Sequence, residues 1–251
     1  MVAVLSRNKV VPLLALGLAV ASVLAAGHAR AANERDQERI ADAMKKMLGG
    51  RAELNSVKPT PVPGLYEVSI GSGIVYTDAS ARYVINGALI DTKTGVNLTE
   101  ARVGELNRIS WSSLPMANAM KWTKGNGSRQ IAVFSDPNCP YCKKLEQTLQ
   151  QLDNVTVYTF LFPVLSPDSE TKAKRIWCST DKVQAWQDWM LSKVAPKGKT
   201  TCKTPVEENI ALGLKLNVTG TPGVFFADGS RLSGAADAAA IEQKLVDIAK
   251  K

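Results

Sequence analysis

The sequence predicts a two-domain protein, in which a small α+β unit precedes a larger α/β domain. One amphipathic helix and several short strand-like runs separated by glycine-containing turns fill the first part of the chain. Longer apolar runs alternate with helical patterns in the second part, as expected for a sheet covered by helices. With 251 residues and 45% hydrophobic content, the chain is long enough for one large or two modest domains.

The first residues have the pattern of a cleavable export signal. Arg7 and Lys9 precede an apolar run from Val10 to Ala26, and Ala29-Arg30-Ala31 offers small residues to a signal peptidase. We therefore predict a signal peptide at residues 1–31. A retained membrane anchor is the alternative, but the run is shorter than the roughly 20 residues that a spanning helix prefers.

Export determines how the four cysteines are interpreted. In an oxidising compartment an even number of cysteines favours disulfide chemistry, and Cys178 and Cys202 lie far outside zinc-knuckle spacing. The only histidine, His28, lies in the predicted signal peptide, which excludes histidine-based nucleophile pairs and metal sites from the mature chain. We therefore predict no metal and no cofactor. The net charge of +8 comes without a dense basic run, which favours a solvated basic surface over nucleic-acid binding.

The N-terminal unit is predicted to span residues 32–97. Asn33 to Leu48 carries apolar residues at helical spacing among charged ones, which indicates an amphipathic helix. Strand-like runs follow, and the last two, Tyr83 to Ile85 and Ala88 to Ile90, flank Asn86-Gly87, which can form either a tight hairpin turn or a bulge. Because the unit is small for an independent core, we expect a second copy of the chain to cover one of its faces.

Residues 98–127 have a weaker pattern and are predicted to connect the two domains. Thr99 can cap a short helix, and Leu114-Pro115 interrupts any longer one. The run from Met116 to Trp122 is compatible with another turn or two of helix.

The C-terminal domain, residues 128–251, has a clearer order of elements. Its order is a strand at 130–135, the turn Cys139-Pro140-Tyr141-Cys142, a helix, a strand at 155–162, helices at 169–178, 181–191 and 206–216, the turn Gly220-Thr221-Pro222, strands at 223–226 and 231–233, and a helix at 237–250. This is the order of a thioredoxin-like domain with a helical insertion between its second and third strands.

Cys139 and Cys142 are the candidate reactive dithiol. The thiolate is the attacking species in disulfide exchange, and the unpaired N–H groups and positive dipole at a helix start stabilise an anion at Cys139. Lys143 and Lys144 add positive charge, and Pro140 suits the first helical position. We expect Cys139 to be exposed and Cys142 to be more buried. An inert structural bridge is less favoured, because a two-residue spacer closes a very small loop.

Cys178 and Cys202 favour the opposite interpretation. A bridge between them would close a long loop and contribute roughly 3 kcal/mol, so a structural disulfide is favoured over a second redox pair. The backbone of Thr221 is predicted to pair with an extended substrate. Asp136 is expected to cap the turn before Cys139, with proton transfer as a less favoured role. The tryptophans of the insertion, Trp177, Trp186 and Trp189, are assigned to its core.

Together these residues resemble the bacterial periplasmic disulfide isomerases of the DsbC and DsbG family. The likeness rests on F-S-D-P-N-C-P-Y-C at 134–142, I-W-C at 176–178 and G-T-P at 220–222. It implies a periplasmic homodimer joined through the N-terminal units, and a membrane reductase of the DsbD type that keeps the dithiol reduced. Misoxidised or unfolded exported proteins would be its clients.

The resemblance also implies residue roles. Cys139 would be the nucleophile and Cys142 the resolving cysteine, with a substrate-binding surface formed by Thr221, the cis-proline Pro222, Pro140 and Tyr141. The second cysteine pair looks like the structural disulfide of the DsbC branch, whereas the Pro140-Tyr141 dipeptide resembles DsbG. We therefore expect a protein-disulfide isomerase and reductase. A DsbG-like reductase of oxidised single cysteines and a holdase for unfolded clients are the alternatives.

Overall fold

The structure, a computed structural model, describes residues 33–233 and 236–250. The predicted signal peptide, residues 1–31, lies outside this range. The described residues form two compact units, one ending at Thr99 and the other beginning at Glu100. Among the helices of this described part, none has both the length and the apolar character that crossing a membrane requires.

The first unit is a helix on a four-stranded antiparallel sheet. Helix α1 covers residues 33–48, and the sheet has the order β1-β2-β3-β4. Ile40 and Met44, four positions apart on one face of α1, pack against Tyr66 and Val68 of the sheet. The strands are β1 (Leu54–Pro59), β2 (Leu65–Ile70), β3 (Gly73–Asp78) and β4 (Val84–Ile85).

The end of this unit differs from the sequence prediction. The runs at 83–85 and 88–90 do not pair with each other, because β4 pairs with β3 instead. The second run pairs forward: Leu98 N–H donates to the carbonyl of Leu89, and Ile90 bridges Asn97. The turn between the paired residues is closed by the Asp91 N–H, which donates to the carbonyl of Val96, and by the Gly95 N–H, which donates to the carbonyl of Asp91. This pairing is local in sequence and replaces a hairpin at Asn86-Gly87.

The segment after this unit contains a strand where helix was expected. Helix α2 (Leu98–Leu106) is followed by 3-10 turns at Trp111–Ser113 and Met116–Asn118, and Met120–Lys124 then forms β5. Met120 packs with Cys142, and Trp122 packs on the cluster that contains Leu145. Side chains two positions apart share one face of a strand, so burial of this pair favours β structure over a helical turn.

The second unit has the predicted thioredoxin-like order, with a five-stranded sheet β5-β7-β6-β8-β9. Strand β6 runs parallel to β7 and antiparallel to β8. The insertion supplies α4 and α5, between β7 and the later elements. The remaining bounds are β6 (Arg129–Ser135), α3 (Pro140–Leu149), β7 (Val155–Leu161), α4 (Pro167–Trp177), α5 (Lys182–Ser192), α6 (Val206–Lys215), β8 (Gly223–Phe226), β9 (Arg231–Ser233) and α7 (Ala238–Ala249).

Strand β6 is buried on both faces, which explains its nearly continuous apolar sequence. Ile131 and Val133 point into a core shared with α3 and α7. Ala132 and Phe134 point into the opposite core beside α6, where Phe134 stacks on Phe160 at 4.8 Å between ring centroids. The central strand is therefore held rigidly from both sides, and it is the strand that leads to the cysteines.

The packing of α6 gives a stability prediction. A Cβ at Gly213 would lie 2.4 Å from the ring of Phe162, so Gly213→Ala should lower the free energy of unfolding by about 1–3 kcal/mol through overpacking. At Gly104 of α2 the same change meets nothing within 4 Å, so Gly104→Ala should be neutral or stabilise by up to about 1 kcal/mol. Urea unfolding followed by tryptophan fluorescence measures both. Equal effects of the two substitutions would contradict the packing of α6 against Phe162.

Candidate active site

The loop from Asp136 to Asn138 carries the chain from the end of β6 to the cysteines. The Asp136 carboxylate is fully buried and accepts backbone N–H groups from Asn138 at 2.7 Å, Val164 at 2.9 Å and Leu165 at 3.0 Å. The Asp136 carbonyl accepts the N–H of Cys139 at 3.1 Å. Asp136 therefore ties the loop before Cys139 to the segment that follows β7, and satisfies buried donors that would otherwise be unpaired.

Cys139 is the N-cap residue of α3, and Pro140 follows at the first helical position. The sulfur of Cys139 accepts the N–H of Cys142 at 3.4 Å, so the side chain occupies the place that a serine or aspartate oxygen usually takes. Its thiol also donates to the carbonyl oxygen of Thr221 at 3.3 Å. Cys139 and Cys142 are both free thiols.

The predicted exposure of Cys139 is wrong. Its residue surface is only 3% exposed, close to the 1% of Cys142, because the Thr221 carbonyl lies against the sulfur and the side chain belongs to a cluster with Met120 and Trp186. The neighbouring dipeptide is more open: Tyr141 is 65% exposed. Reaching the sulfur therefore requires contact at the rim formed by this dipeptide and the Thr221 loop.

Burial raises the pKa of the Cys142 thiol to about 12, and the nearby Cys139 sulfur contributes in the same direction. Hydrogen bonds to Ser135 and to the backbone of Asp136 offset only part of this rise. The uncharged thiol is the form that a buried, weakly hydrated site favours. The two cysteines therefore differ chemically, since one sulfur accepts a helix N–H and the other is kept protonated by its surroundings.

The peptide bond between Thr221 and Pro222 is cis, as the family resemblance implied. Pro222 is buried and Thr221 is half-buried, and β8 begins at the next residue. In the described part of the chain, no group accepts the N–H of Thr221. A cleft of about 180 Å³ adjoins this loop and is lined by Asn217 to Gly223, Phe225, Arg231 and Leu232.

A disulfide joins Cys178, at the C-cap of α4, to Cys202, in the loop before α6. Their Cα atoms are 5.8 Å apart and 24 positions separate them in sequence. The bridge closes the insertion on itself. Over residues 33–233 and 236–250, no three His, Cys, Asp or Glu side chains are grouped so that they could hold a metal ion.

The tryptophans of the insertion have different burial and different hydrogen-bond partners, which the sequence pattern did not distinguish. Trp186 is buried, and its N–H donates to the carboxylate of Glu146 at 3.0 Å. Burial raises the pKa of Glu146. Trp189 is only half-buried and donates its N–H to the carbonyl of Pro137 at 2.6 Å, across 52 positions of sequence. No local signal could have identified this contact between the insertion and the loop before Cys139.

The raised pKa of Cys142 predicts that the reduced protein loses stability at high pH. As the pH rises above about 9, the unfolded chain releases this proton, while the folded chain holds it until about pH 12. Deprotonation thus favours the unfolded state, and the free energy of unfolding falls across this window. Cys142→Ala lacks this contribution, so the stability of the reduced protein relative to the variant should fall as the pH is raised from about 9 towards 12 in urea unfolding. A constant difference would contradict a raised pKa at this thiol.

Comparisons with known proteins match both units. The family model described as a thioredoxin-like domain matches residues 116–249, and that of the disulfide bond isomerase protein N-terminal domain matches residues 26–100. Among solved structures, the crystal structure of a disulfide interchange protein from Neisseria gonorrhoeae superposes with a TM-score of 0.51. The sequences are 38% identical, and the match covers 53% of this chain and 97% of the Neisseria chain.

Two curated relatives extend over most of the chain. The probable thiol:disulfide interchange protein DsbC of Bordetella parapertussis is 46% identical over 208 residues, which are 82% of this chain and 74% of the relative. The thiol:disulfide interchange protein DsbC of Escherichia coli is 30% identical over 188 residues, 72% of this chain and 76% of the relative. Because these relatives match most of its length and its thioredoxin-like unit has a dithiol at a helix start, this chain belongs to the DsbC family of thiol:disulfide interchange proteins and is a thiol-disulfide oxidoreductase.

Proposed function

We propose that the protein isomerises and reduces non-native disulfides in exported proteins through Cys139 and Cys142. The observation that carries this proposal is the position of the Cys139 sulfur, which accepts the N–H of Cys142 and lies against the carbonyl of the Thr221 loop. A thiolate at this place gains a hydrogen-bond donor and the positive end of α3. The same place adjoins a backbone segment with which a client chain can pair.

In the first step the Cys139 thiolate attacks one sulfur of a client disulfide. A mixed disulfide forms between Cys139 and the client, and the second client sulfur leaves as a thiolate. The client is held as an extended segment that pairs with the Thr221 N–H. It also contacts the exposed rim of Pro140 and Tyr141 and the adjoining Pro222. Main-chain pairing is independent of side chains, which suits clients of many sequences.

Two reactions then compete for the mixed disulfide. The freed client thiolate can attack a second disulfide of the client, and the other sulfur of that disulfide leaves as a thiolate. A client thiolate then attacks the client sulfur of the mixed disulfide, which forms a new client disulfide, returns Cys139 as a thiolate and completes isomerisation. Alternatively, Cys142 attacks Cys139, which releases a reduced client and leaves a Cys139–Cys142 disulfide. Because the pKa of Cys142 is raised to about 12, few of these thiols are ionised at neutral pH, and the second reaction is slow. This balance favours isomerisation over reduction.

The family and the sequence support the setting of this activity. The signal-like residues 1–31 would direct export to the periplasm, and a membrane reductase of the DsbD type would return an oxidised site to the dithiol. Residues 32–97 would form a dimerisation domain and residues 128–251 the catalytic domain. Residues 98–127 would form a connector, whose last part, β5, joins the sheet of the catalytic domain. The Cys178–Cys202 bridge serves as a structural disulfide. The chemistry needs no metal or other cofactor.

The edge of the N-terminal sheet supports a homodimer. Strand β4 lies at the end of that sheet and has a single partner, β3. Its residues Val84 and Ile85 are 40% and 55% exposed, and Tyr83 beside them is 64% exposed. An apolar edge strand is a template for pairing with another chain, and a second copy would cover it.

Replacement of each active-site cysteine should separate the proposed steps. Cys139→Ser should abolish rearrangement of a scrambled multi-disulfide client, because the thiol that remains, Cys142, is buried and kept protonated. Cys142→Ser should still rearrange it but should accumulate mixed disulfides, since the escape reaction is lost. Gels that separate the disulfide forms of the client measure rearrangement. Mass spectrometry of the trapped species measures the mixed disulfides.

The same variants test the alternatives. A Cys139→Ser protein that retains full rearrangement activity would refute the proposed nucleophile. If the wild type reduces a sulfenylated single-cysteine protein but fails to rearrange the scrambled client, the DsbG-like reductase is correct. If Cys139→Ser and wild type prevent client aggregation equally and neither exchanges disulfides, the protein is a holdase.

The dimer proposal predicts the effect of charge at the sheet edge. Val84→Asp with Ile85→Asp should convert the dimer to a monomer, because burying two carboxylates in an interface is costly. Leu214→Asp, at a 63% exposed position of α6 in the other unit, is the matched control and should leave the dimer intact. Light scattering with size-exclusion chromatography gives the mass of each. A wild-type monomer, or a dimer that survives both edge substitutions, would contradict this interface.

A further inference from the structure

Trp189 links the insertion to the loop before the dithiol. It lies on α5, and its indole N–H donates to the carbonyl of Pro137 at 2.6 Å, two residues before Cys139. Its side chain is only half-buried, unlike that of Trp186 three positions earlier. Trp189 packs against the cluster that contains Cys139 and Trp186, and its polar edge in addition binds the loop before the proposed nucleophile.

The ring of Trp189 also holds two ammonium groups. The Nζ atom of Lys143, in the first turn of α3, lies 4.1 Å from the ring centroid, and that of Lys172 of α4 lies 4.6 Å from it. Cations near an aromatic face are attracted by its quadrupole, and partial burial strengthens the attraction. The pKa of Lys143 is lowered by burial and by the positive charges of Lys193 and Lys172.

A second contact joins the neighbouring loop residue to the same part of the insertion. The side-chain amide of Asn138 donates to the carboxylate of Asp168 at 2.7 Å, and Asp168 is paired with Lys172. Pro137 and Asn138 are thus both held by the insertion, through Trp189 and through Asp168. The segment that presents Cys139 is fixed from outside the sheet and α3.

We propose that Trp189 is a positioning residue that sets the reactivity of Cys139. By holding the Pro137 carbonyl, it fixes the turn in which Cys139 N–H meets Asp136, and so keeps the Cys139 sulfur on the Cys142 N–H. By holding the Lys143 ammonium, it keeps a positive charge at the start of α3, where a thiolate forms. This role rests on the proposed function of Cys139 as the nucleophile.

Trp177 provides the contrast within the same insertion. It is half-buried and has the ammonium of Lys182 at 3.7 Å from its ring centroid, yet it makes no hydrogen bond to the loop before Cys139. Trp177→Phe therefore matches Trp189→Phe in size, in loss of an indole N–H and in retention of a ring for a cation. The two variants differ in the contact with Pro137.

The experiment compares these two variants with the wild type in two measurements. The first is the equilibrium constant for the reaction of the dithiol with oxidised glutathione, which yields the Cys139–Cys142 disulfide and two reduced glutathione molecules. The second is the rate constant for Cys139 alkylation by iodoacetamide at pH 7, followed by mass spectrometry. Trp189→Phe should raise the equilibrium constant and lower the alkylation rate, each about fivefold, because one hydrogen bond that favours the thiolate is weakened. Trp177→Phe should change neither.

A second pair of variants keeps the test decisive if Trp189→Phe does not fold. Lys143→Met removes the ammonium from the Trp189 ring and retains the indole N–H. Lys144→Met removes the same charge from the same turn at an exposed residue, whereas the ammonium groups over the Trp189 ring are those of Lys143 and Lys172. The alkylation rate should fall at least threefold further with Lys143→Met than with Lys144→Met, because the held charge lies in a less hydrated place.

The outcomes separate this proposal from the proposed function. If Trp189→Phe unfolds at lower urea concentration but keeps the wild-type equilibrium constant and alkylation rate, Trp189 is only structural and the proposal is overturned. Equal effects of the two tryptophan variants, or of the two lysine variants, also overturn it. Retention of disulfide exchange by Cys139→Ser refutes the proposed nucleophile itself, whatever the tryptophan variants show.

Discussion

The hydrogen bond from the Cys142 N–H to the Cys139 sulfur is the interaction on which the site depends. A helix start leaves N–H groups that need acceptors, and here the acceptor is the sulfur of Cys139, the proposed nucleophile. A charged acceptor makes a stronger hydrogen bond than a neutral one, so this contact is the one that exchange at Cys139 would use. This contact depends on three features: the helix start at Cys139, the proline at the first helical position, and the two-residue spacing between the cysteines.

The remaining structure keeps that contact in place. Strand β6 is packed between two apolar cores, and the buried carboxylate of Asp136 ties its end to the segment after β7. On the other side, the carbonyl of Thr221 lies against the sulfur. The sulfur of Cys139 is therefore enclosed by parts of the chain that are remote in sequence, and small shifts in any of them change what the sulfur contacts.

The sequence predicted the elements that have local patterns. The Cys139-Pro140-Tyr141-Cys142 turn, the strands at 223–226 and 231–233 and the order of the thioredoxin-like unit follow from periodicity and turn chemistry. The sequence did not predict β5 at Met120–Lys124, an edge strand that forms by pairing with β7, more than 30 positions later in the chain. Burial of Cys139 and the bond from Trp189 to Pro137 also escaped prediction, since both arise from contacts between distant segments. Helical spacing placed Trp186 and Trp189 on one face but could not show that their polar edges have different partners.

The bridge between Cys178 and Cys202 brackets α5, the helix that carries Trp189. The bond therefore closes the stretch of chain that holds Trp189, whose indole contacts the loop before Cys139. Of the four cysteines, one pair is bonded and the other pair is free. Assembly of this architecture therefore requires that oxidation joins Cys178 to Cys202 and leaves Cys139 and Cys142 as thiols.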